Sequence, residues 1–92
     1  VSLSFPQRLQ SDQAREVLDR LTRELVPAQT QAVSLAELQT FDSSALAVML
    51  ALQRSAKALA GQVAWRDVPP RMQTLAQLYG VDALLGMGQA SS

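Results

Sequence analysis

Apolar residues recur along this chain at two spacings, and each change of spacing marks an element. Val1, Leu3 and Phe5 alternate with polar positions, the period of a strand with one buried face. Pro6 breaks the alternation. A central strand would lose a ladder hydrogen bond there, so the pattern predicts an edge strand, or one that ends near the proline. A chain that is already in a strand at Val1 also predicts a sheet entered part-way, with upstream residues missing or disordered.

From Ser11 the spacing changes. Ala14, Val17, Leu18, Leu21 and Leu25 follow at three- and four-residue steps, which makes one apolar helical stripe. Ser11 is placed to cap this helix, with Asp12 in the first turn where the dipole favours it. The other face pairs Arg15 with Asp19, Glu16 with Arg20 and Arg20 with Glu24, each four apart, and reads as solvated. Pro27 and Gln29-Thr30-Gln31 end the helix. Ala32–Leu38 then suits an interior strand, with Val33 and Leu35 on one face and Ser34 and Ala36 on the other.

The chain is organised around the next stretch, Thr40–Leu52, a short loop feeding straight into a helix. Asp42, Ser43 and Ser44 can each accept a hydrogen bond from the free N–H groups of a first turn. Ala45 to Leu52 is apolar at every position, so this helix start is either buried all round or kept for something that covers it. Its second half is amphipathic, with Gln53, Arg54 and Lys57 wet. The helix runs to about Ala60, and Gly61 is the expected stop.

Gln62–Val68 predicts a strand with Val63 and Trp65 on one face, closed by Pro69-Pro70, which pre-sets a helix start. Arg71–Tyr79 follows as that helix, with Met72, Leu75, Ala76 and Leu78–Tyr79 as its buried side. Gly80 is the expected C′ residue and Val81 its hydrophobic contact. Asp82 is placed to cap a last turn, Ala83–Met87, before a frayed tail at 88–92. Strands alternating with helices predict an α/β fold, one domain over 1–92, with a largely parallel sheet and right-handed crossovers.

Composition narrows the chemistry. Lys and Arg together number 8, as do Asp and Glu, so charge gives no reason to expect nucleic acid or an anionic membrane as partner. The absence of Cys and His removes thiol chemistry, disulfides, the commonest metal ligand and the usual proton shuttle. No charged leader with an apolar stretch opens the chain, and its longest apolar run, Ala45–Leu52, is far short of the about 20 residues that span a bilayer. These features predict a soluble module that suits the cytoplasm, inserts in no membrane and needs no cofactor. A serine without a base is not activated, no Gly-rich phosphate loop is present, and Glu37 and Asp42 have no spacing of a paired acid and base. The expectation is therefore no enzyme, no catalytic residue and no metal site. What remains is the helix tip: a docking surface with a hydroxyl at its centre, where a phosphate would add about −1.5 to −2 charge.

Phe41-Asp42-Ser43-Ser44-Ala45-Leu46 opening a helix, then Gly61, then Val68-Pro69-Pro70, then Leu75-Ala76-Gln77-Leu78-Tyr79-Gly80-Val81, together resemble a STAS domain, the anti-sigma factor antagonist fold. Leu-Ala-x-Leu-Tyr-Gly and the brief loops are most similar to its MlaB branch, the small STAS subunit of a phospholipid-transport ABC system. The resemblance covers about residues 3–87. It implies a small α/β fold with a mostly parallel sheet and helices packed on one side. It also implies that the hydroxyl residue directly after the aspartate, here Ser43, is the contact or regulated residue. In the MlaB-like branch that position touches the cytoplasmic ATPase which the subunit supports, so the protein would lie peripheral to the inner membrane through that complex. The docking surface would comprise Thr40, Asp42, Ser43, Ser44, the exposed side of Ala45, Leu46 and Met49, and the helix end at Leu78 and Tyr79. In the sigma-regulating branch Ser43 would instead be phosphorylated by a partner kinase, the anti-sigma factor. Three positions depart from the family pattern. Ala45 stands where glycine is usual, Ser34 stands where aspartate is common, and the family's first strand has no counterpart.

Overall fold

The computed structural model describes residues 3–85, which fold into five short strands and three helices. The N-terminal apolar alternation does not form one strand. Leu3–Ser4 (β1) and Arg8–Leu9 (β2) flank Pro6 and pair in different places. β1 runs parallel to Thr30–Ser34 (β3), in the register Leu3 with Val33. β2 runs parallel to Thr40–Phe41 (β4), a two-residue pairing that the hydrophobic pattern does not foretell. β3 is central, and Gln62–Arg66 (β5) closes its other side in parallel. The expected edge strand ending near the proline is thus β1. The reason for the split is that proline donates no hydrogen bond, so the ladder stops and the chain continues on a second partner.

The inner sheet face carries Leu3 and Val33, with Phe5 and Leu35 buried just beyond the strand ends. Trp65 meets Phe5 edge to face at 5.9 Å, and its indole N–H donates to Gln53 of the second helix. The outer face shows exposed Ser4, Thr30, Gln62 and Arg66. β3 begins two residues earlier than its pattern predicts and ends at Ser34, because Gln31 belongs to the fold's interior. The Gln31 side chain accepts from Val26 N–H and donates to Glu24 C=O, closing the end of the first helix.

That helix, Ser11–Arg23 (α1), buries Val17 and Leu21 as its stripe requires. Its cap is Gln10 rather than Ser11: the Gln10 N–H donates to the Gln13 side chain at 3.0 Å, half of a capping box. None of the three expected ion pairs on its outer face closes. The one salt bridge among the described residues is Arg8–Asp12 at 4.0 Å. Exposed pairs gain about 0.2–1 kcal/mol at best, too little to hold two long side chains in one geometry.

Ser43–Ala58 (α2) is the central helix, and it buries Ala45, Leu46, Val48, Met49, Leu52 and Ala56 against α1 and the sheet. Its end is a Schellman motif displaced by one residue from expectation. Ala60 takes the left-handed conformation (φ 61°), donating to Lys57 C=O, while Gly61 donates to Ala56 C=O. Gly61 is required for another reason: a Cβ there would lie 2.6 Å from the Gln29 carbonyl oxygen. Pro70–Leu78 (α3) begins on the Pro-Pro pair and ends as predicted. Gly80 (φ 72°) donates to Gln77 and Val81 to Ala76. The last turn closes by Leu85 N–H to Val81 C=O. Val1, Met87 and the tail at 88–92 lie outside the described residues.

Candidate docking site

The site begins with a backbone clamp. Gln39 and Thr40 both donate to the Gln7 carbonyl, and the Gln7 and Gln39 side chains join at 2.9 Å. This holds β4 against β2 and turns Phe41 inward, where it is nearly buried. Asp42 follows as the N-cap of α2, with extended backbone and its Oδ1 accepting from Ser44 N–H at 2.8 Å. Ser43 is the first helical residue and is exposed. The cap and the exposed hydroxyl fall on adjacent residues. One carboxylate fixes the turn, and the next side chain is left free to face outward.

Beside this tip, α3 leaves a groove of about 530 Å³. Phe41, Asp42 and Ser43 form one wall, and Arg71, Thr74, Leu75, Leu78 and Tyr79 form the other. Leu78 is 76% exposed and Tyr79 60% exposed. Both were expected on the buried side of α3, yet only Met72 and Ala76 are buried there. The helix is nine residues long and touches α2 at few points, so the core needs only one narrow stripe of it. The Arg71 guanidinium lies 4.8 Å above the Phe41 ring, a cation–π contact that links the two walls.

Of the nine predicted contact residues, the structure gathers Asp42, Ser43, Leu78 and Tyr79 around this groove. Thr40 is exposed but sits in β4, away from the groove lining, and Ser44 is half-buried behind the cap. Ala45, Leu46 and Met49 are corrected: at 0%, 2% and 0% exposure they are core, and they have no exposed side. The apolar run is explained by burial, because α2 is packed by α1 and by β5. Within that run Ala47 alone is exposed. Phe41, Arg71, Thr74 and Leu75 were not anticipated. The signal was present for three of them, since Arg71, Thr74 or Leu75, and Leu78 stand at i, i+3 or i+4, and i+7 on one helix face.

Ser34, at the position where the family often has aspartate, ends β3 by accepting from Ala36 N–H and donating to Asp67. It therefore does local turn work with a hydroxyl. Among the described residues no three Asp, Glu, His or Cys side chains gather into a set that could hold a metal ion. No helix among them is long and apolar enough to cross a membrane.

A comparison with curated proteins finds no match. The family model described as MlaB, STAS domain, matches residues 2–86, nearly the whole chain, and STAS domains are generally non-enzymatic. With its parallel sheet, three helices and Asp-Ser cap at the tip of α2, the chain belongs to the STAS-domain family, and within it is most like MlaB.

Proposed function

We propose that this protein is a non-enzymatic accessory subunit that binds and supports the ATPase of a phospholipid-transporting ABC complex. In this reading it docks through the groove at the tip of α2. The observation that carries it is the pairing of an exposed Ser43 hydroxyl with the uncovered side chains of Leu78 and Tyr79. Large apolar side chains exposed together beside a firmly capped turn are what a protein interface uses as anchors. The protein would sit in the cytoplasm, held at the inner membrane by that ATPase and not by insertion of its own.

The test is direct binding of the purified chain to the ABC-transporter ATPase of its own organism. Wild type should bind and raise ATPase stability or turnover. Ser43→Arg should not bind, while its circular dichroism and melting curve stay those of wild type. Wild-type protein that fails to bind, or Ser43→Arg that binds equally, refutes the reading.

A second reading, antagonism of an anti-sigma factor, draws on one specific observation. Ser43 presents its hydroxyl to solvent at a helix N-terminus, where the dipole would tolerate a phosphate. Incubation with the anti-sigma kinase and ATP should then add one phosphate at Ser43, and an unchanged mass removes this option.

A further inference from the structure

Arg71 sits where helix electrostatics disfavour it. It is the second residue of α3, in the first turn, where the positive end of the helix dipole favours Asp or Glu. That first turn holds no acidic residue, and among the described residues no carboxylate lies within 4.0 Å of the guanidinium. The lack of a carboxylate is shared by every Lys and Arg of the described residues except Arg8, so it is the place of Arg71 in the helix that sets it apart. It is nevertheless held in place, since the guanidinium carbon lies over the Phe41 ring, 4.8 Å from its centroid, and the side chain lines the groove. A residue that breaks a local rule without a local gain, yet is positioned by packing, is a candidate for function.

Resting on the docking reading above, we propose that Arg71 is the charge-reading residue of the groove. It receives an Asp or Glu carboxylate from an acidic–apolar segment of the docked ATPase. Charge complementarity selects this occupant. The groove offers one cation with no carboxylate partner among the described residues. Asp42, the one carboxylate in the lining, has an oxygen committed to the α2 cap. The rim supplies apolar anchors in Leu78 and Tyr79. Arg71, Leu75 and Leu78 fall on one face of α3 at i, i+4 and i+7, so a helical segment laid along the groove would meet one charge and two apolar contacts. The guanidinium over Phe41 has N–H donors suited to a two-point grip on a carboxylate.

The experiment measures the affinity of the full-length chain for the purified ATPase at low and high salt. It compares wild type, Arg71→Lys and Arg71→Glu, with a melting curve for each. Arg71→Glu places an acid in a helix first turn and should fold normally. It should weaken binding by about 30-fold or more, while Arg71→Lys loses less. The wild-type affinity should fall with salt and that of Arg71→Glu should not. Reversal of one ATPase carboxylate to Arg should restore binding to Arg71→Glu alone.

Wild type that fails to bind the ATPase overturns the docking reading and this proposal together. Wild type that binds while Arg71→Glu binds equally well overturns the proposal and leaves docking intact. A scan of exposed ATPase carboxylates with no rescuing reversal also overturns it. Phosphatidylcholine–phosphatidylglycerol vesicles form the last arm. If Arg71→Glu loses these vesicles while it keeps the ATPase, the cation serves a lipid headgroup and the proposal fails.

Discussion

The C-terminal end of α2 is tied down by backbone hydrogen bonds, whereas its N-terminal end, about 24 Å away along the helix axis, is held by one side-chain cap beside the groove. At the closed end Ala28 N–H donates to Leu59 C=O, Gln62 N–H donates to Gln29 C=O, and Gly61 packs against Gln29 with no room for a side chain. Two alanines, Ala28 and Ala60, are left-handed there. At the open end the described backbone has no left-handed residue from Thr40 to Ser44, and a single aspartate serves as cap. The feature there is surplus surface: Leu78 and Tyr79, beside a cation held over the Phe41 ring. Left-handed backbone is not confined to the closed end, since Asp67 (φ 55°) takes it in the turn before α3, and exposed apolar side chains occur at both ends, Leu59 and Leu84 near Gly61 and Leu78 and Tyr79 at the groove.

Four substitutions would break or sharpen this contrast. The largest effect is expected at the open end, in binding only. Ser43→Arg should reduce affinity for the ATPase by about 100-fold or more, equal to about 2.7 kcal/mol, with thermal stability unchanged. Titration calorimetry beside a melting curve separates the two. Loss of the fold in this variant would make Ser43 structural.

At the closed end the next largest effect should appear in stability only. Gly61→Ala forces the Gln29 strand entry to move and should cost about 2 kcal/mol of unfolding free energy, read by urea denaturation. Binding should persist wherever the variant is folded.

Removal of the cap connects the two ends. Asp42→Ala should cost about 1 kcal/mol and should also weaken docking, because the turn that presents Ser43 is no longer held. Equal docking by the folded variant would separate the cap from the site.

The smallest effect has the opposite sign. Ala60→Gly relieves a left-handed alanine, worth about 1–2 kcal/mol, against about 0.5–1 kcal/mol of added chain entropy in the unfolded state. The two figures leave a net gain of at most about 1.5 kcal/mol, read by urea denaturation. A loss would show that the Ala60 methyl makes contacts that matter.

Local rules made much of this architecture legible. Gly80 and Val81 end α3 with the two hydrogen bonds that a Gly-Val pair announces, and Asp42 caps α2 through Ser44 as its side chain and position imply. Those interactions span at most a few residues, so residue type and spacing suffice. The misses share the opposite property. Whether Leu78 is covered depends on how closely α3 approaches α2, and nothing within four residues of Leu78 reports that. Arg71 was passed over for the same reason, since its partner Phe41 is thirty positions away and is turned inward only by the β2–β4 pairing.

By itself the sequence determined the alternation of strands and helices, the α/β class, the family, and the cap that presents Ser43. Periodicity tells which residues share a face, and capping chemistry tells where that face begins and ends. Only the tertiary structure decided which faces are covered. It buried Ala45, Leu46 and Met49, uncovered Leu78 and Tyr79, divided the first strand between two partners at Pro6, and set Arg71 over Phe41. Burial is a relation between elements distant in sequence, fixed by the volume the core must fill, and an apolar run reads the same whether a neighbour reaches it or not.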